Sequence, residues 1–117
     1  MQTQIIGNWG ESYACDYLIQ HGLKILSRNF RAKTGEIDII AQDHDYLVFV
    51  EVRVRFNKMH SNAAESINLA KRRKILKTAE FYLQKFNYQG KCRIDVIAID
   101  RAKIPPTLEW IKNAISY

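Results

Sequence analysis

The segment from Gly35 to Arg55 has the sequence GEIDIIAQDHDYLVFVEVRVR, and its pattern predicts a β-hairpin. Two runs rich in β-branched residues, Ile37–Ala41 and Tyr46–Val54, are typical of strands. The polar residues 42–45 between them are typical of a turn. If the loop contains an even number of residues, we expect Ala41 to lie opposite Tyr46.

This register predicts that carboxylates gather on one face of the hairpin. Asp38 then faces Phe49, and Glu36 faces Glu51, which makes Asp38 and Glu51 diagonal neighbours. Side chains alternate along a strand, so the opposite face is the core face and consists of valines: Val48, Val50, Val52 and Val54.

The other face is a candidate site, because Glu36, Asp38, Glu51 and Arg53 would lie within a Cβ separation of roughly 5 to 8 Å. Two carboxylates about 4 Å apart repel by about 4 kcal/mol at an effective dielectric constant near 20. The cluster therefore requires a positive partner, either Arg53 or a metal ion.

The length of 117 residues is that of one domain, residues 1–117, with a core that needs no disulfide. Cys15 and Cys92 lie far apart on apolar stripes, so we expect reduced core thiols and neither a disulfide nor a zinc pair. The N-terminus does not resemble a signal peptide, and no apolar run has the length of a membrane span. We expect a cytoplasmic protein that does not enter a membrane.

The net charge of +6 is concentrated in residues 51–86, where nine Lys and Arg residues accompany three acidic residues. A local basic patch indicates a polyanionic partner, most often nucleic acid. We expect contacts with nucleic acid from Arg55, Lys71, Arg72 and Lys74. The alternative is a solvated helix face that is basic for solubility.

The remaining elements follow from apolar periodicity and turn residues. A helix at Asn8–Gln20 ends at Gly22, and a second helix lies within Ala63–Phe86, with Asn62 or Ser66 as its N-cap. Further strands are expected at Leu23–Phe30 and Lys91–Asp100, and Thr107–Tyr117 forms an edge strand or a docked tail. The order αβββαβ predicts an α/β fold with a mixed sheet between flanking helices.

Glu11 is placed unusually, because helical spacing puts it beside the apolar residues Ala14, Cys15 and Leu18. A carboxylate at a buried stripe needs a partner. Either Glu11 belongs to a site, or it lies at the rim of the buried stripe, or it forms an ion pair with a nearby arginine.

Several motifs together resemble the YraN-like family, which is largely uncharacterised. The resemblance extends over nearly the whole chain. The residues that carry it are Gly10, Glu11, Ala14, Tyr17, Leu18, Asn29, Gly35–Asp38, Val48–Arg55, Lys71, Ala79–Leu83, Arg93–Val96 and Asn113–Ala114. That family looks like a member of the PD-(D/E)xK nuclease superfamily, close to archaeal Holliday-junction resolvases. The resemblance implies a restriction-endonuclease-like fold.

The resemblance also implies a metal-dependent hydrolysis of phosphodiester bonds in DNA, either branched or single-stranded. Glu11, Asp38 and Glu51 would hold one or two Mg²⁺ or Mn²⁺ ions, with the carbonyl of Val52 as a further ligand. Hard oxygen ligands suit these cations. Junction resolvases of this fold act as dimers, so the resemblance also implies a homodimer.

Arg53 departs from the superfamily pattern, which has lysine two residues after the glutamate. Arginine keeps the positive charge but does not release a proton at useful pH. Either Arg53 is the catalytic cation, or Lys71 replaces the missing lysine from the helix, or the protein binds nucleic acid without cutting it. In a further alternative, Glu36, Asp38 and Glu51 form a surface ion network with Arg31, Arg53 and Arg55, and the protein binds another protein.

Overall fold

The computed structural model describes residues 2–56 and 67–116, and the side chains from residue 8 onward. It contains two helices and five strands in the order α1(Gln2–Gln20), β1(Lys24–Ala32), β2(Gly35–Asp43), β3(Tyr46–Arg55), α2(Leu69–Lys85), β4(Lys91–Asp100) and β5(Thr107–Ile115). The predicted N-caps Asn62 and Ser66 lie outside the described residues.

The five strands form one mixed sheet in the order β1-β2-β3-β4-β5. The first three strands are an antiparallel meander, β4 pairs with β3 in parallel, and β5 is an antiparallel edge strand. Helix α2 connects the two parallel strands, as a parallel pair requires. The predicted mixed sheet with flanking helices is confirmed, and the architecture is compatible with a restriction-endonuclease-like fold.

Apolar side chains cover both faces of the sheet, whereas the sequence pattern predicts a single core face of valines for the hairpin. Val48 and Val50 pack toward α1, and Leu47 and Phe49 pack toward α2. Phe49 is 1% exposed, so the middle of β3 is buried on both sides. Since each helix covers one face, charged side chains remain only toward the C-terminal end of this strand.

The hairpin register differs by two residues from the predicted one. Asp43 pairs with Tyr46, and Ala41 pairs with Val48 instead of Tyr46. The turn is only two residues long, because the polar residues 42 and 43 continue the strand. Two residues are an even shift, so every side chain keeps its predicted face.

The helix boundaries also differ from the predicted ones. Helix α1 begins at Gln2 and ends before Gly22, whose φ of 92° stops the helix as expected. Helix α2 begins at Leu69, because the Asn68 side chain accepts a hydrogen bond from the backbone N–H of Lys71 at 2.9 Å. Neither helix is long and apolar enough, over its described residues, to cross a membrane.

The two cysteines lie in different environments. Cys15 is buried against the sheet, as predicted, and burial raises the pKa of its thiol. Cys92 is exposed, so the expectation of two core thiols is wrong for this residue. It lies at the start of β4, where burial begins only after the first three residues of the strand.

The fully buried Asp95 of β4 anchors the edge strand β5. Its carboxylate accepts hydrogen bonds from the indole Nε1 of Trp110 at 2.9 Å and from the backbone N–H of Asn113 at 2.8 Å. Arg93 donates to the same carboxylate at 3.1 Å and to Asp43 at 2.7 Å. These contacts give the Arg93–Asp95 motif a structural role that requires no ligand.

Candidate functional site

The two strands of the hairpin stop pairing at the point where its charged residues begin. Ladder pairing between β2 and β3 ends at Ile39 and Val50. One residue further along β2, Oδ2 of Asp38 accepts a hydrogen bond from the backbone N–H of Val52 at 2.8 Å. Continuing the register places Asp38 opposite Glu51, so the two carboxylates are direct neighbours and not diagonal ones.

Helix α1 approaches this end of β3 at Gly10. A methyl group built on Gly10 would overlap Cγ2 of Val54. The missing side chain lets the helix lie close to the strand and places the next residue, Glu11, at the site. Glu11 is 8% exposed, and its position beside the buried stripe is confirmed.

We expect Gly10→Ala to destabilise the protein, although alanine usually favours a helix by about 1 kcal/mol over glycine. The added methyl meets a β-branched side chain with little rotational freedom, and such overpacking costs roughly 1 to 3 kcal/mol. Urea unfolding measures the difference. Asp16→Ala, an exposed change on the same helix, should shift stability by about 0.5 kcal/mol or less. A Gly10→Ala variant that is more stable than the native protein would contradict the close approach.

Three carboxylates converge at this point. One ligand oxygen from each of Glu11, Glu36 and Asp38 lies within 4.8 Å of the others. Glu11 comes from α1, whereas Glu36 and Asp38 come from β2 and share a face because they are two residues apart. Three oxygen donors at this spacing can surround a divalent cation that prefers hard ligands, such as Mg²⁺ or Mn²⁺.

Glu11 is only partly compensated by its surroundings. Burial raises the pKa of its carboxyl group, against the lowering effects of a hydrogen bond from Asn29 and the charge of Arg28. The Arg28 guanidinium is 3.6 Å from Oε1, which is an ion-pair distance and too long for a good hydrogen bond. Oε1 is buried without a hydrogen-bond partner among the described residues. A cation between the carboxylates would satisfy this oxygen.

Asp38 is the most perturbed of the three acids. Burial, followed by the negative charge of Glu51, raises its pKa to about 8. At neutral pH without a bound cation, Asp38 is therefore mostly protonated. A divalent ion would replace this proton and stabilise the charged form, so the donor set fits a metal.

Lys71 is the cation that contacts Glu51. Its Nζ lies 2.9 Å from Oε2 of Glu51, whose side chain is 5% exposed. The contact follows from the N-cap at Asn68, which places Lys71 in the first turn of α2, above the open end of the hairpin. Arg53, which the sequence offered as the charged partner, is half-buried on β3 opposite Ala98 of β4.

A cavity of about 360 Å³ lies between the hairpin and the start of α2. Among its lining residues are Glu36, Asp38, Glu51, Asn68, Lys71 and Lys74. Acidic groups therefore form its floor beside β2 and β3, and two lysines border it from α2. Arg53 is not among the described residues that line it.

The residues expected to bind nucleic acid occupy three different places. Lys71 and Lys74 line the cavity. The Nε of Arg72 donates to the backbone carbonyl of Ile67 at 2.8 Å. Arg55 lines a separate cavity of about 270 Å³ with Asp100 and Glu109. The structure thus brings only the two lysines to the carboxylates.

Glu36 was not among the ligands that the sequence predicted, although it was expected on the same face of the hairpin. Its spacing of two residues from Asp38 was the available signal. Arg31 also lies 3.7 Å from Glu36, but both side chains are well exposed, so this pair contributes little. The predicted ligands Glu51 and the Val52 carbonyl stay predictions.

Comparison with known sequences identifies the family. Residues 10–99 match the family described as Uncharacterised protein family UPF0102. The UPF0102 protein of Herminiimonas arsenicoxydans is 46% identical over 112 residues, which cover 96% of this chain and 87% of that protein. The UPF0102 protein of Clostridium kluyveri is 46% identical over 112 residues, with coverages of 93% and 92%. The chain therefore belongs to the UPF0102 family, the YraN-like family that its motifs resemble.

Proposed function

We propose that this protein is a metal-dependent nuclease that hydrolyses phosphodiester bonds in DNA, and that it belongs to the PD-(D/E)xK superfamily. The observation that supports the proposal is the convergence of Glu11, Glu36 and Asp38 within 4.8 Å, beside a lysine that contacts Glu51. Carboxylates from a helix and a hairpin meet here, and the hairpin carboxylates line a cavity that lysines border. Fold stability alone does not require this arrangement.

Glu11, Glu36 and Asp38 would hold the metal ion. Glu51 lies next to this group, opposite Asp38 in the hairpin. When bound, the ion supplies an activated water and polarises the phosphate. The chain itself fixes the orientation of Asp38 through the N–H of Val52 at 2.8 Å. Asp38 also shares a hydrogen bond with Glu51, and a bound cation would replace this contact.

Lys71 would serve as the catalytic cation. Glu51 holds its ammonium group at 2.9 Å, at the edge of the cavity where a phosphate would enter. A positive group in this position stabilises the negative charge that develops on the phosphate oxygens. Lysine can also transfer a proton, which arginine cannot do at useful pH. Lys71 would therefore take the role of the motif lysine, whose position is occupied by Arg53.

Cleavage of labelled single-stranded, duplex and four-way-junction DNA with Mg²⁺ or Mn²⁺ tests the proposal. We expect the native protein to cut at least one of these substrates and Glu51→Gln to lower the rate by about 100-fold, because Lys71 loses its anchor. Arg53→Lys should cut at a rate close to the native one. Absence of cleavage by both the native protein and Arg53→Lys would contradict the proposal.

A second candidate function is nucleic-acid binding without catalysis. The observation that favours it is Arg53 at the position of the motif lysine. The same panel distinguishes the two functions. Cleavage by Arg53→Lys alone would show an inherited site that the arginine has inactivated, and it would exclude Lys71 as a working replacement.

A further inference from the structure

One face of α2 carries lysines and an aromatic ring in a continuous row. Lys74, Lys77, Phe81 and Lys85 are separated by three, four and four residues, the spacing of neighbours on one side of a helix. All four are exposed. We call these four residues the α2 strip. It is about 16 Å long at 1.5 Å per residue.

The α2 strip begins at the candidate active site. Lys74 lines the cavity that contains Glu36, Asp38 and Glu51. From there, the strip follows the helix away from the carboxylates toward the C-terminal end of α2. A polymer that extends out of the cavity along α2 would therefore contact Lys77, Phe81 and Lys85 in turn.

Phe81 is an exposed aromatic ring with a supporting neighbour. It is 44% exposed, and its ring centroid lies 6.2 Å from that of Phe30 on β1. Phe30 in turn packs at 5.1 Å against Tyr82. One side of Phe81 thus rests on the protein, whereas another part of the ring remains available to a planar ligand.

The charges and the ring together indicate the chemistry of the ligand. The only acidic residue of α2, Glu80, points about 100° away from Phe81 around the helix but lies one turn after Lys77, at the margin of the strip. Three lysines beside one acid leave a net positive row, and such a row attracts a phosphate backbone. Exposed aromatic rings stack on unpaired bases, but the bases of a duplex are stacked on each other and offer no free faces.

We propose that the α2 strip binds a single-stranded segment of the nucleic-acid substrate, with its lysines on the phosphates and a base stacked on Phe81. The inference rests on the proposed function, because it names the form of the substrate at the same site. It assigns Phe81 as a residue that distinguishes single strands from duplexes.

Fluorescence anisotropy with a labelled oligothymidylate, and with its duplex with oligoadenylate, tests this inference in EDTA, where no cleavage occurs. Phe81→Leu keeps an apolar contact with Phe30 but removes the aromatic face. We expect it to weaken binding of the single strand by roughly 5- to 100-fold, and to leave duplex binding unchanged. Phe86→Leu is the matched control, because Phe86 is 57% exposed but points about 140° away from Phe81.

The lysines have their own test in the same assay. Lys77→Gln should reduce the slope of log affinity against log salt concentration by about 0.7, the value for one lost phosphate contact on a single strand. Lys103→Gln, an exposed change outside α2, should not alter the slope. Equal slopes for the two variants would contradict phosphate contacts along the strip.

The outcomes separate this inference from the proposed function. Equal single-strand affinities of Phe81→Leu and Phe86→Leu would overturn the inference, even if the native protein cuts DNA with Mg²⁺. Tight duplex binding with no preference for the single strand would also overturn it. A selective loss in Phe81→Leu would support the strip even if no metal produced cleavage, and only the nuclease proposal would then fail.

Discussion

Lys71→Ala is expected to lower the rate of DNA cleavage by about 100-fold or more, while DNA binding decreases much less. The ammonium group lies 2.9 Å from Glu51 at the edge of the carboxylate cavity, where the phosphate would react. A group that stabilises developing charge affects the rate more than the affinity of the ground state. Single-turnover cleavage and anisotropy on the same DNA measure the two quantities.

Arg73→Ala is the matched control, because it removes one positive charge from an exposed position on the same turn of α2. It should leave the cleavage rate within a few-fold of the native value. Lys71→Arg separates charge from proton transfer, since arginine keeps only the charge. An unchanged rate in Lys71→Ala, or equal losses in Lys71→Ala and Arg73→Ala, would contradict the assigned role.

Asp38→Asn is expected to stabilise the metal-free protein at pH 8. Burial and the neighbouring Glu51 raise the pKa of Asp38 to about 8 from an ordinary value of 3.8. Between these pH values the folded protein retains a proton that the unfolded chain has released. Its stability therefore falls as pH rises from about 4 to about 8 and is constant above that range. The asparagine variant lacks this loss, which is on the order of a few kcal/mol.

Urea unfolding in EDTA at pH 6 and pH 8 measures this difference. Native stability should fall between the two pH values by more than that of Asp38→Asn. Asp45→Asn is the control, because Asp45 is exposed at the hairpin turn and a hydrogen bond from Lys91 lowers its pKa. Added Mg²⁺ should stabilise the native protein and not Asp38→Asn. The same pH dependence of stability in the native protein and in Asp38→Asn would contradict a protonated Asp38.

Sequence alternation predicted the faces of the hairpin but not its register. Turns of two and four residues both keep side chains on their faces, so the apolar pattern cannot distinguish them. The shorter turn depends on His44, which adopts a positive φ of 55°. This difference changes the relation between Asp38 and Glu51 from diagonal to direct, and it increases the repulsion that raises the pKa of Asp38.

The position of Glu11 could be predicted because helical spacing placed a carboxylate on an apolar stripe. The contact between Lys71 and Glu51 depends on tertiary packing, which fixes where α2 begins and how it crosses the sheet. Helical periodicity places Lys71 on the margin that meets the sheet but cannot select its partner. The burial of Cys92 was overestimated for a similar reason, because strand periodicity does not show where the covering helix ends.

Binding of Mn²⁺, followed by electron paramagnetic resonance of the free ion, tests the carboxylate centre most directly. The native protein should bind at least one ion, and Asp38→Asn and Glu11→Gln should bind it much more weakly. Asp16→Asn, an exposed change on α1, should bind as the native protein does. No binding by the native protein at millimolar Mn²⁺, or equal binding by all four proteins, would contradict a metal site formed by Glu11, Glu36 and Asp38.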